Sequence, residues 1–345
     1  MSDTRKRSRN WKHAGVCLAM CLAAFAVLWA FRQQGGLEYL ELKTYDVLLR
    51  SESRDYSFSS RFLLVEMDDA DIARYGYPIP DETLQKLIAR LQEAGPRAIG
   101  VDIIRDRPEP PVDARFGAPL KPGWNNELRD FLEDEKNWNV SWAALKLVSN
   151  APVTAPLSED RWGEAGTEED TSDKCIRRAL LLEGKKGGKT YLSLAYQMAL
   201  NYLEREPTPL DPKPAPGDPN LIQIGPAIIT RFHRTDGAYI DANDSGYQYL
   251  LDYRGSRELP HVSVTDVLES PVPRAAIHDK IIVIGMTTLT AKDFVRTPVN
   301  DKMFGVLYQA IAAEHLLRFA LRGGHPISSW SDTSEAAWAL AWALL

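Results

Sequence analysis

The chain has 345 residues, 44% hydrophobic and 26% charged, a composition that describes a folded core rather than a disordered polymer. Its formal net charge of −6 hides a split, because residues 1–12 carry five bases and one acid and leave 36 bases against 46 acids in the rest. That acidic balance excludes a nucleic-acid reader, which needs a basic footprint to replace counterions on phosphate.

Residues 14–31 follow the basic tail 1–13 as 18 consecutive residues without a charge. At 1.5 Å per residue they span about 27 Å, close to the thickness of a bilayer core. Positive charge before an apolar run holds the amino end in the cytoplasm and sends the remainder, residues 32–326, to the other side. A cleaved signal peptide is the rival reading. The run ends Leu28-Trp29-Ala30-Phe31 without a small-x-small site, which favours an uncleaved anchor. Cys17 and Cys21 fall in this run and Cys175 stands alone beyond it, so the outer domain has no internal disulfide and no cysteine metal site. The six histidines show no paired spacing, and neither a metal nor a cofactor is expected.

Residues 37–50 have helical spacing and are expected to continue the anchor as a stalk. Residues 61–67 form an apolar, branched run suited to a buried parallel strand, ending at Asp68 and Asp69. After the Pro78-Ile79-Pro80 turn, Asp81 caps a helix whose Leu84, Leu87, Ile88 and Leu91 recur at spacings of three and four. Gly95 and Pro96 end it, and a second strand over 98–101 delivers Asp102. Because such crossovers are right-handed and parallel, Asp68 and Asp102 are expected to leave the same carboxyl edge of one sheet, where open α/β sheets bind ligands.

Beyond Pro108, Pro110 and Pro111, a helix is expected near 126–136 and strands near 140–147 and 176–182. Residues 184–190, rich in glycine and lysine, miss the phosphate-loop spacing by one position, since Glu183 stands where its first glycine belongs, and read as a flexible turn before a helix at 191–203. Six prolines in 207–219 predict an exposed, extended insertion without regular packing. Strands resume at 221–224, 227–232 and 246–253, with a short helix near 264–268. Residues 280–284 are another buried strand, running into Gly285-Met286-Thr287-Thr288, with Asp293 in the loop beyond. A strand ending in this way presents amides and hydroxyls to a polar pocket, or simply makes a capped turn. Gly305 opens a helix to about Leu321, and residues 335–345 begin an apolar helix that reads as the start of a second, truncated membrane span. The fold class is therefore α/β, with a mixed, largely parallel sheet flanked by helices in a single domain between membrane helices.

Several segments agree in order with a known family. Residues 45–50, the strand with Asp68, the turn and strand 94–103 with Asp102, and the closing group of residues 280–285, Asp293, Thr297-Pro298 and 305–317 together resemble the type 2 CHASE family. The resemblance covers about residues 37–322, and this chain departs from the family's pattern at Tyr77 to Pro80 and at Thr171 to Lys174. It implies an extracytoplasmic sensor in a bacterial cell membrane receptor, working as a homodimer and sensing a small ligand or a protein signal. The cyclase or kinase output would lie beyond residue 345. Asp68, Asp102, Thr287, Thr288 and Asp293 are the candidate ligand-binding residues, and none is expected to be catalytic. Two other readings stand beside this one: an assembly module for a membrane complex, and a hydrolase using the spaced carboxylates of Asp69 and Asp71.

Overall fold

The computed structural model describes residues 2–51, 60–105, 108–109, 126–145, 157–184, 190–253, 259–324 and 326–344. The glycine- and lysine-rich run at 185–189, Pro110, Pro111 and the far end of the strand expected at 140–147 lie outside the described residues.

Helix α1 (Ser2–Gln33) is followed by α2 (Glu38–Ser51). The expected continuous stalk is broken, because Gly35 takes a positive φ of 79° and a turn separates the two helices. Only glycine adopts that conformation without steric cost. Next come β1 (Phe62–Met67), α3 (Asp69–Tyr75), α4 (Asp81–Glu93), β2 (Ala98–Asp102), α5 (Asn126–Glu133), β3 (Val140–Ala144) and β4 (Trp162–Glu164). With β11 (His261–Ser263) and β12 (Ile281–Met286) they build one six-stranded sheet in the order β11-β1-β12-β2-β3-β4. Every pairing in it is parallel, so the main sheet is not mixed.

Both faces of this sheet are covered, and the period-2 alternation of its strands divides the core. Phe62, Leu64, Ile281 and Val283 face one cluster, packed under α6 (Leu194–Leu203) and α9 (Gly305–Arg322). Leu63, Val65, Ile282 and Ile284 face the other, under α4, α5 and α7 (Val264–Glu269), with Ile277 of the short α8 (Arg274–Ile277). Leu84, Leu87, Ile88 and Leu91 are all fully buried there, as their spacing predicts, each stabilising by about 1.5–3 kcal/mol. Gly285 lets α9 approach β12, since a Cβ at that position would sit 2.6 Å from Val306.

Antiparallel pairing occurs outside the main sheet. It joins β5 (Arg178–Gly184) to β6 (Thr190–Leu192) and β10 (Tyr247–Leu250), and β13 (Phe294–Val295) to β14 (Met303–Phe304). The proline-rich insertion is also more regular than expected: β7 (Lys213–Ala215) pairs with β8 (Asp218–Ile224), which pairs with β9 (Ala227–Ile229). Gly217 at a φ of 89° makes the turn, and an exposed short strand tolerates Pro214 because no interior ladder depends on it. The helix expected from residue 191 starts only at Leu194, capped by Ser193, because residues 190–192 pair with β5 instead.

Candidate functional site

The first two predicted acids do leave the same edge of the sheet, but they do not converge. Strand β12, nearly 180 residues further along the chain, lies between β1 and β2. Two strand spacings therefore separate the ends of β1 and β2, about 9–10 Å. Asp68 spends its side chain on its own helix. Its Oδ1 accepts from the Asp71 amide at 2.8 Å, and Asp71 returns the contact to the Asp68 amide in a capping box. Asp71 is buried and bolts α3 to α7, accepting from the Thr265 amide at 2.9 Å and its hydroxyl at 2.6 Å. Asp69 accepts from the Thr288 hydroxyl. Asp69 and Asp71, weighed as hydrolase carboxylates, are thus hydrogen-bonded to the turn after β12 and to the helix starts, respectively.

Thr288 also caps the short turn after β12 by accepting from the Thr290 amide at 3.1 Å, and the Thr287 amide donates to the Met67 carbonyl. Neither threonine lines the cavity that the sheet edge encloses. That cavity, about 480 Å³, opens beside Asp102 and Asp293, between the carboxyl ends of β12 and β2 and the amino end of α9. Of the five candidates, the structure brings together Asp102 and Asp293 and leaves Asp68, Thr287 and Thr288 aside.

Asp102 is the last residue of β2, in register with Gly285 of β12. Apolar walls from Met67, Ile79, Ile103 and Met286 surround it. Burial pushes its carboxyl up to about 8, and the nearby Asp293 carboxylate adds to the effect. Asp293 is itself raised by burial. It sits over the start of α9, where a Cβ on Gly305 would fall 2.8 Å from its Oδ1, so Gly305 leaves room for the carboxylate against the helix end.

A second cluster, missed at the level of sequence, joins α2 to the domain. Arg177, fully buried just before β5, donates from Nε and Nη2 to the two oxygens of Asp46, both at 2.8 Å. It also donates to Asp170 at 2.6 Å and Asp173 at 2.7 Å. Arg178 pairs with Asp170 at 2.8 Å, and Lys43 with Asp173 at 2.7 Å. Three acids and three bases thus balance within one network, buried except at the partly exposed Lys43. Burial would raise the Asp173 carboxyl, but hydrogen bonds from Arg177 and Lys43 hold it well below the usual carboxylate range. Asp46, Asp173 and Cys175 are close enough to hold a metal ion, but the guanidinium of Arg177 already occupies both carboxylates. The signal was present in the sequence: Asp46 lies between Leu42 and Leu49 on the buried stripe of α2, and two arginines interrupt an apolar strand. An acid on an apolar stripe requires a buried partner.

At the carboxyl end of α1, Arg32 pairs with Glu41 of α2 at 3.0 Å and with Glu335 of α10 (Asp332–Ala343) at 2.6 Å. Within α1, His13–Gln33 is 21 residues long with a mean hydropathy of 2.3, and by length and composition can cross a membrane. The 12 residues of α10 fall short of the roughly 20 that a span requires, so a second membrane helix is not shown.

A fully parallel six-stranded sheet flanked by helices, with a cavity at its carboxyl edge and one long apolar helix before it, defines an α/β module. The chain belongs to the CHASE2 family: the family model described as CHASE2 domain matches residues 22–345, and CHASE2 is an extracellular sensory domain type. The resemblance read from the sequence segments is borne out. No curated protein and no solved structure matches the chain.

Proposed function

We propose that the chain is the extracytoplasmic sensory module of a bacterial transmembrane receptor, anchored in the cell membrane by residues 13–33, with Asp102 and Asp293 at its ligand pocket. The observation that carries this reading is a short physical path from the pocket to the stalk. Ala165, Gly166 and Thr167 line the pocket, and three residues later Asp170 enters the network that holds Asp46 of α2. Val295 also lines the pocket, and its neighbour Arg296 accepts through its carbonyl from the Ile176 amide at 2.8 Å, one residue from Arg177. Tyr308 of α9 lines the pocket and donates its hydroxyl to the Arg178 carbonyl at 3.2 Å. An occupant that shifts any of these segments by a few tenths of an ångström strains a rigid, charge-balanced cluster, and the strain falls on α2 and through it on α1.

Homodimerisation fits the same layout. Leu40, Val47 and Leu48 leave an apolar face of α2 exposed, away from the buried Leu42 and Leu49, and this face supports pairing of two stalks. The test is a thermal-shift screen of the full chain in detergent against amino acids, amines, sugars, nucleotides and cations, repeated with Asp102→Ala and Asp293→Ala. A class that raises the melting temperature only while both acids are present supports the sensor. A screen in which nothing stabilises the chain, with a stable dimer by mass, turns the account toward an assembly module.

A further inference from the structure

The polar groups around the pocket are unevenly committed. Several of its hydrogen-bond donors are in use: the Gly305 amide donates to the Asp293 carbonyl, the Tyr308 hydroxyl to the Arg178 carbonyl, and the Gln309 amide to the Ala165 carbonyl at 3.2 Å. Its strongest acceptors are not. Among the described residues neither the Asp102 nor the Asp293 carboxylate has a hydrogen-bond or ion-pair partner; desolvation acts on both, and the charge of Asp293 also on Asp102. No lysine, arginine or histidine is among the described lining residues. Both acids are half-buried and face the cavity, so their oxygens are open to whatever fills it, and a donor from a ligand would meet carboxylates that apolar walls leave poorly solvated.

Resting on the sensor reading above, we infer that the pocket takes a small organic cation, an ammonium group on an apolar body, with the ammonium between Asp102 and Asp293. The rest of the lining fits such a body. Met67, Ile79, Ile103, Met286 and Val295 give apolar walls, and the exposed ring of Tyr77 stands at the rim, where aromatic faces attract cations. The volume of about 480 Å³ matches a metabolite. An anion meets two carboxylates and no base. A bare divalent cation such as calcium takes six to eight oxygens, of which the two carboxylates give at most four, while most of the wall is apolar. The partial positive charge at the start of α9 does not reverse the argument, because Asp293 already lies against it.

The groups facing Asp102 also set a pH dependence. Asp293 comes from the loop after β12 and Tyr308 from α9, while β12, the 165–167 segment and the 77–79 turn bring no charged side chain into the lining. Arg105, three residues beyond Asp102, is turned instead to Asp81 and to the Ile79 carbonyl at 2.8 Å. An incoming ammonium therefore favours ionised Asp102 and displaces its proton, so affinity strengthens as pH rises toward about 8.

The experiment titrates the full chain in detergent, by calorimetry at pH 6 and pH 8, with butylammonium, benzylammonium and phenethylammonium. The alcohol and carboxylate of each skeleton, and calcium chloride, are titrated alongside. The expected result is at least one ammonium compound bound about tenfold or more tightly than its alcohol and carboxylate counterparts. That compound binds more tightly at pH 8 and releases a proton, seen as a dependence on buffer ionisation enthalpy. Asp102→Asn and Asp293→Asn should each weaken it about tenfold. If Asp293→Asn does not fold, Asp102→Asn decides alone. Binding of an alcohol or carboxylate as tightly as the amine, or amine binding unchanged in Asp102→Asn, overturns the cationic assignment while leaving a pocket sensor standing. Calcium binding in place of amines overturns it likewise. No binding by any probe at 10 mM overturns the assignment, and no hit in the broader screen then removes the sensor reading as well.

Discussion

Replacing Asp102 with asparagine removes a charge that the fold opposes, and the resulting gain in stability has a defined pH profile. The carboxyl ordinarily titrates at 3.8 and is pushed up to about 8 in the folded chain. Between those values the folded state keeps a proton that the unfolded state has released, so stability falls as pH rises through this window and levels off above about 8. Each pH unit is worth about 1.36 kcal/mol, which puts the cost at about 4 kcal/mol by pH 7. Water at the pocket mouth screens part of this, leaving about 2–4 kcal/mol to be measured. Asparagine keeps the shape without titrating. Asp102→Asn should therefore melt higher than the parent by roughly 5–10 °C at pH 8 and by much less at pH 5. The assay is a melting curve by circular dichroism from pH 4 to pH 9. A variant less stable than the parent at every pH, or a difference that does not widen between pH 5 and pH 8, refutes the reasoning.

Other outcomes follow from the same contacts. Asp46→Ala removes the two-pronged partner of the buried Arg177 and should cost about 3–5 kcal/mol, checked by chemical denaturation, with faster amide exchange in α2. Gly285→Ala places a methyl 2.6 Å from Val306 and should cost about 1–3 kcal/mol while pushing α9 off β12, measurable by denaturation and by altered affinity at the pocket. Burial pushes the Cys175 thiol up to about 12, so in a chain carrying Cys17→Ser and Cys21→Ser a thiol reagent at pH 8 should label it only after unfolding.

The strands carrying Asp68 and Asp102 were legible because each is an unbroken apolar run ending in an acid, and the stripe on α4 because its period is that of a helix. Their separation was not legible, since it depends on β12 pairing between them from far along the chain, and such pairing leaves no local mark. Asp293 could be named from its loop, but its approach to Asp102 follows from α9 packing over Gly285, a long-range event. Asp68, Thr287 and Thr288 carried the same residue chemistry as the pocket acids. Their capping roles appear only once the turns are folded, because short polar side chains at strand ends serve caps and ligands alike. Tyr45 to Arg50 gave the family likeness without revealing that Asp46 is the joint between stalk and domain.

Hydrogen exchange of the full chain in lipid nanodiscs tests most directly whether pocket occupancy reaches the stalk. Exchange would be followed in residues 38–51 with and without the best-binding compound, in the parent and in Asp102→Asn. The account predicts that the compound changes exchange both at the pocket segments 165–173 and 293–298 and in α2, and that both changes vanish in the variant. Protection confined to the pocket, with α2 exchanging as before, would contradict it.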